Sequence, residues 1–319
     1  MFESYSSVMR PWPSCCAQRA ALSLTMLHTL ASQSNNLPAK LVPSYFNRGV
    51  RRAQILLEFL DFRRLQELSE ELALARLLKQ PKFVYKYLSP YSALSFTRKM
   101  RLAAILHHYQ FLRQRVVPPF FASLAHAPVL WQQQKGEDLF TISLGFPTRT
   151  GFEGELTLSF CCNSTVLQVI SFVIVPGALV GSSSKQALFI CQVQGERHPE
   201  LLKHATKALH DSTPAVLLVH AAYGLAAALR IDQLVGISTE EQLCNTKISF
   251  DYAAFWQQFD GQRTASNFFL LAIPAAEKPI RLVKSKYRAR TLRKRQSKQQ
   301  LRAAVAQHFS ALCLGQALS

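Results

Sequence analysis

One stretch, Gly154 to Leu209, limits what this chain can fold into more than any other. Glu155-Leu156-Thr157-Leu158-Ser159-Phe160 alternates polar and apolar residues, which puts Leu156, Leu158 and Phe160 on one face of a strand and leaves the other face wet. Asn163-Ser164-Thr165 turns the chain. Val166 to Val175 is then a nearly unbroken β-branched and aliphatic run that ends at Pro176-Gly177, the pattern of a strand covered on both faces. Gly181-Ser182-Ser183-Ser184 makes the next turn, and a third run, Ala187 to Val193, stops at Gln194-Gly195. Pro199 opens a helical pattern with Leu201, Leu202, Ala205, Ala208 and Leu209 on one face. Three neighbouring strands therefore deliver the chain through a glycine into a helix start.

The flanks extend this into an α+β arrangement. Arg51 to Gln80 is helical in period, with apolar stripes, one break in the middle and a stop at Pro81. Lys82 to Leu88 alternates aromatics with lysines, and a second helix runs from Thr97 to Arg115 before Pro118-Pro119. Gly136-Glu137-Asp138 turns between two short extended segments, where the sheet begins. Past the central stretch, Asp211-Ser212-Thr213-Pro214 caps a helix to Arg230 whose alanines permit close packing. A short strand at Ile231 to Ile237, a helix from Ser249 with Phe255 and Trp256, and a strand from Phe268 to Ile273 complete it. The expected organisation is a poorly ordered lead-in over 1–45, a helical region over 46–130, a mixed and largely antiparallel sheet domain over 131–280, and a basic helical segment over 281–319.

With 319 residues, nearly half of them apolar, the chain has material for a large core. Its seven cysteines include two vicinal pairs and no C-x-x-C, a reduced-thiol pattern that points to the cytoplasm. The apolar stretch Ala20 to Leu30 is interrupted by His28 and Thr29 and reads as lead-in or surface helix instead of a signal sequence. No apolar run reaches the ~20 residues of a membrane-spanning helix, so any membrane association is expected to be peripheral. The net charge of +18 favours polyanionic partners. Ten of the basic residues lie between Arg281 and Arg302, with no acidic residue among them. Lys286, Arg288, Arg290, Arg293, Lys294 and Arg295 are too dense to share one helix face, and Tyr287 is the one aromatic among them. That composition predicts phosphate-driven, non-specific binding of RNA, anionic lipid or an acidic protein, with a solvated helix as the plain alternative.

Candidate chemistry is sparse. His107 and His108 are adjacent on a helix and point about 100° apart, and His198, His204 and His210 scatter around theirs, so neither set makes a metal site. Ser182-Ser183-Ser184-Lys185 fits S-x-x-K but falls in a loop, where the motif does not work. Gln192-Val193-Gln194-Gly195-Glu196-Arg197 sits where a strand hands over to a helix, and free N–H groups there can cradle a pyrophosphate. It resembles the Q/R-x-x-G-x-G/A loop of the acetyl-CoA-dependent acyltransferase fold at Gln192 and Gly195 and departs from it at Arg197. By that resemblance Gln192, Gly195 and Arg197 are the candidate acyl-CoA contacts, and Tyr252 a weak candidate acid. A plain strand-to-helix turn is the competing account.

Several motifs together resemble the bacterial VirK/YbjX family over roughly Phe46 to Leu301. They are His107-His108-Tyr109, Glu153-Gly154-Glu155-Leu156-Thr157-Leu158, Gln194-Gly195, and Thr206-Lys207-Ala208-Leu209-His210 with Pro214. To these add Val235-Gly236-Ile237-Ser238, Ser249-Phe250-Asp251-Tyr252 with Phe255-Trp256, and Lys284-Ser285-Lys286-Tyr287-Arg288. The family pattern carries Gly and basic residues before that Pro, where this chain has Asp211-Ser212-Thr213. The resemblance implies a role in virulence, outer-membrane homeostasis and resistance to cationic antimicrobial peptides, with no catalytic activity assigned.

Overall fold

A computed structural model describes residues 59–78, 80, 83–147, 151–195, 198–243, 250–273, 277 and 279–315, and the chain divides into compact units at residues 1–60 and 61–319. The second unit is described below. The expected lead-in and Arg197 lie outside the described residues.

The amino-terminal helices are α1 (Phe59–Glu71) and α2 (Leu74–Leu77), separated at Leu72-Ala73, where Ala73 takes φ 51°. This is the break expected in the first helical stretch, set by a left-handed residue that no continuous helix accommodates. The Lys82 to Leu88 stretch becomes a 3-10 helix, Phe83–Leu88, and α3 (Arg98–Arg113) follows, its first turn closed by the Thr97 hydroxyl accepting from Met100 N. Pro119 opens the short α4 (Pro119–Leu124).

Eight strands then form one mixed sheet: β1 (Val129–Lys135), β2 (Asp138–Gly145), β3 (Leu156–Cys162), β4 (Thr165–Pro176), β5 (Gln186–Gly195), β6 (Gln233–Ile237), β7 (Gln262–Arg263) and β8 (Phe268–Ala272). Their order is β1-β2-β3-β4-β5-β6-β8-β7, antiparallel except for β5 with β6. The parallel pair requires a crossover, which α5 (Pro199–Ala208) and α6 (Pro214–Ala228) supply. After β6 come α7 (Tyr252–Gln257) and, beyond the sheet, α8 (Ser285–Cys313). The short edge strand β7 carries no sequence signal that would have announced it.

Register decides what each face of the sheet does. Leu156 opposite Phe172 and Leu158 opposite Ile170 belong to a wholly buried apolar face. Helix α6, apolar around nearly its whole circumference, packs against β3, β4, β5 and β6 of this face, and α8 packs against α6 and β1. The two helices approach so closely that a Cβ on Gly224 would lie 2.6 Å from the Arg302 carbonyl oxygen. The opposite face carries Thr157 against Ser171 and Ser171 against Gln192. Its far half is covered by the amino-terminal helical layer, with the Phe96 ring 5.9 Å from Phe189 and 6.1 Å from Phe268. Among the described residues no helix covers the near half, which mixes hydroxyls and amides with Val166 and Val169.

Candidate functional site

The Glu153-Gly154-Glu155 segment lies where the covered half of this face meets the open half. Gly154 has φ +138°, and a Cβ there would lie 2.8 Å from Phe172 N, so only glycine lets the chain enter β3 this close to β4. Glu155 N then donates to the Phe172 carbonyl at 2.9 Å. On the covered side the Glu155 carboxylate receives the Lys86 ammonium at 2.6 Å and the Tyr109 hydroxyl at 2.7 Å, and all three side chains are buried. The ammonium also lies 4.8 Å above the Tyr91 ring. Burial pushes the Lys86 pKa down while Glu155 opposes the shift; burial and then Glu155 hold the Tyr109 and Tyr91 phenols well above their ordinary range. His108, pushed down to about 3 by burial and then by Lys86, accepts from Ile174 N through Nδ1. These groups are sealed from solvent and hold the helical layer to the sheet. They have no access to a substrate.

The open half forms a groove of about 450 Å³ across β2 to β5, within the size range of small-molecule sites. Its floor is a chain of paired groups: Thr157 and Ser171 hydroxyls at 3.0 Å, Ser171 Oγ donating to Gln192 Oε1 at 3.3 Å, and Gln192 Nε2 donating to Gln194 Oε1 at 3.0 Å and to the Glu153 carboxylate. Cys161 and His198 stand at its rim, and none of the described residues lining it is Lys, Arg, Asp or Glu. Burial raises the Cys161 thiol pKa, the opposite of what a thiolate nucleophile needs. The groove therefore presents hydrogen-bonding groups to solvent, and its described lining shows no activated nucleophile.

Of the residues singled out as acyl-CoA contacts, Gln192 and Gly195 are among the described residues. Gln192 is on the groove floor, whereas Gly195 ends β5 opposite Gln168, whose Oε1 a Cβ would meet at 3.3 Å. Strands β4 and β5 stay paired from Gln168/Gly195 to Pro176/Gln186, interrupted only by a bulge, so no cleft opens between them. Divergence occurs instead between β5 and β6, which pair only over Leu188–Ile190 and Leu234–Gly236. Tyr252 fills that divergence. Its hydroxyl accepts from Val193 N at 3.1 Å and from Gln242 Nε2 at 3.1 Å, and Trp256 beneath it donates to the Ile237 carbonyl at 2.7 Å. Burial pushes the Tyr252 phenol above its ordinary range, so it stays neutral in a structural role.

The basic residues of α8 divide by environment. Lys286, Arg288, Arg290 and Arg293 are exposed, whereas Lys294 and Arg295 are half-buried. Arg290 pairs with Asp211, Lys294 donates to the Asp211 carbonyl at 3.1 Å, and Arg295 and Arg302 both reach Glu277 at 3.3 and 3.2 Å. Asp211, the first residue of the Asp211-Ser212-Thr213 segment, thus anchors the helix. The carboxy-terminal half of α8 buries Leu301, Val305, Phe309 and Leu312, so the helix is basic at its start and a core element at its end. Among the described residues no helix is long and apolar enough to cross a membrane, and no three His, Cys, Asp or Glu side chains cluster as a metal site.

Residues 44–307 match the family described as "Protein of unknown function (DUF535)". The chain belongs to this family. It is 29% identical over 229 residues to "Uncharacterized protein YbjX" of Escherichia coli (strain K12), covering 67% of this chain and 68% of that one, in agreement with the VirK/YbjX motifs. It is 30% identical over 172 residues to "Membrane protein LapB" of Mannheimia haemolytica, covering 51% and 69%. Among solved structures, a mutant of a cAMP-binding acyltransferase from Mycobacterium smegmatis aligns with 11% identity over 66% of this chain and 60% of that one, with a TM-score of 0.27, too low to bear on this DUF535 chain's function.

Proposed function

We propose that this DUF535 protein supports outer-membrane homeostasis, resistance to cationic antimicrobial peptides and virulence, and that it does so by binding a neutral, hydrogen-bonding ligand in the open groove. The envelope role rests on the VirK/YbjX motifs. The binding role rests on one observation: the described groove lining carries hydroxyls and amides beside the Cys161 thiol and the His198 imidazole, and no Lys, Arg, Asp or Glu. Uncharged donors and acceptors of this kind orient a polar ligand without polarising a bond for attack. The test is a gene deletion followed by exposure to a polymyxin-like peptide. Increased killing that the wild-type gene reverses supports the reading, and unchanged sensitivity with unchanged virulence removes it.

A second reading, acyl-CoA-dependent transfer, draws support from the parallel β5–β6 pair and from Gly195 ending β5 four residues before Pro199 opens α5. It requires Tyr252 and Trp256 to leave the space between those strands. Calorimetry with acetyl-CoA and longer acyl-CoAs showing no heat at millimolar ligand eliminates it. The exposed Lys286, Arg288 and Arg293 support a third contact, peripheral and salt-sensitive, with RNA, anionic lipid or an acidic protein. Equal retention on heparin at low and physiological salt argues against it.

A further inference from the structure

A second cavity, of about 380 Å³, lies between the start of α6, the end of α7 and the middle of α8. Its α8 wall presents Thr291, Lys294, Arg295 and Lys298, spaced to share one face of the helix. Three half-buried cations therefore look into one space. Two carboxylates border it, but both are committed: Asp211 to Arg290, and Glu277 to Arg295 and Arg302. Lys298 has no hydrogen bond or ion pair among the described residues.

The α6 wall contributes His220, 5% exposed, whose Nδ1 has no hydrogen-bond partner. Its ring is fixed between Tyr223 at 5.9 Å and Phe259 at 5.8 Å. Burial, then Lys298 and Arg302, push the His220 pKa to about 3, and burial, then Lys294 and Arg302, lower that of Lys298. Cations that depress one another and a neighbouring imidazole are in a net positive field, which Glu277 offsets only in part at Lys298. The Thr213-capped start of the 15-residue α6 adds its positive end to the same cavity. Each feature has an ordinary explanation singly. An orphaned buried nitrogen, an unpaired half-buried ammonium and a preformed cavity at one place are jointly explained by a missing anion.

We infer that this cavity binds a phosphate monoester, held by Lys298 and Lys294 and by the Thr291 hydroxyl, with His220 donating from its imidazole. The inference is independent of the groove reading: it concerns a separate cavity and an anionic ligand in place of a neutral one. It also differs from non-specific polyanion binding, which would run over the exposed Lys286, Arg288 and Arg293.

The probes are inorganic phosphate and glycerol phosphate in solution, and phosphatidylcholine vesicles with and without phosphatidic acid, each titrated into the full chain at low salt. The expected result is saturable binding of a soluble phosphate, of the phosphatidic acid vesicles, or of both, which identifies the source of the phosphate group. Lys298→Gln weakens it by about tenfold, the usual effect of losing one charge-assisted contact, and Arg293→Gln leaves it unchanged. In the unaltered protein the His220 imidazole resonances shift with the same midpoint, a readout that does not depend on a variant folding. Absence of saturable binding to every probe overturns the inference. So does binding that leaves His220 unmoved, or that Arg293→Gln weakens as much as Lys298→Gln does.

Discussion

Replacing Lys86 by Met tests the claim that a sealed ion pair joins the helical layer to the sheet. Lys86 and Glu155 side chains are 5% and 0% exposed and meet at 2.6 Å. The substitution keeps much of the aliphatic volume and removes the ammonium, leaving the carboxylate with neutral company such as the Tyr109 hydroxyl. Breaking a buried pair from one side costs about 3–5 kcal/mol. An independent bound follows from the alternative of neutralising the carboxyl: protonating an ordinary glutamate, pKa about 4.3, at pH 7 costs about 3.7 kcal/mol. The two figures agree, so a loss of about 3–4 kcal/mol at neutral pH is expected in urea unfolding followed by tryptophan fluorescence. The bound shrinks as pH falls, so the deficit relative to the parent should narrow to about 1 kcal/mol near pH 5. The double variant Lys86→Met with Glu155→Gln should recover part of the loss, because no buried charge is then left alone. A loss under about 1 kcal/mol at pH 7, or a deficit independent of pH, would refute the reasoning.

His108 and His220 have folded pKa values depressed from 6.5 to about 3, so the unfolded chain binds protons first as pH falls. Their contribution is present above pH 6.5 and is lost on acidification: about 2 kcal/mol per histidine at pH 5, measurable as a steeper pH dependence that His220→Gln roughly halves. Gly154→Ala forces a Cβ against the Phe172 backbone at a positive φ and should cost about 2–3 kcal/mol by thermal unfolding; a wild-type midpoint would mean β3 and β4 are not so closely joined. Tyr252→Phe leaves Val193 N and Gln242 without their shared acceptor and should cost about 1–3 kcal/mol. If that variant is as stable as the parent, the space between β5 and β6 is not held shut by the phenol.

The strands of the central stretch were legible because their signals are local. Period-two alternation defined β3, an aliphatic run between turns defined β4, and glycine after Gln194 marked the passage into α5. Helix starts followed from Pro199 and from the cap at Asp211-Ser212-Thr213, and a helix end from Pro118-Pro119. Contacts between distant segments were not legible. Lys86 and Glu155 each lie in a stretch the sequence marks, one among aromatics and one beside Gly154, but nothing local says that residues 69 apart meet. The divergence between β5 and β6 was not legible, because parallel pairing with β6 depends on a crossover the sequence does not measure. In α8 the density of charge hid a division that burial makes plain: exposed cations at the start, and an inward set at Lys294, Arg295 and Lys298 facing His220. Gln192 stands on the groove floor, where its amide joins Ser171 to Glu153, partners that its sequence neighbours do not reveal.

The central claim is that the groove over β2 to β5 is the working site, and filling it is the direct test. Val169→Trp places an indole in the groove from a half-buried position between Ser159 and Gln194, touching neither the Lys86 cluster nor α8. In a deletion strain exposed to a cationic peptide, with protein level and melting temperature matched to the wild type, the account predicts that the wild-type gene restores survival and the filled-groove variant does not. Full restoration by the filled-groove variant would contradict it.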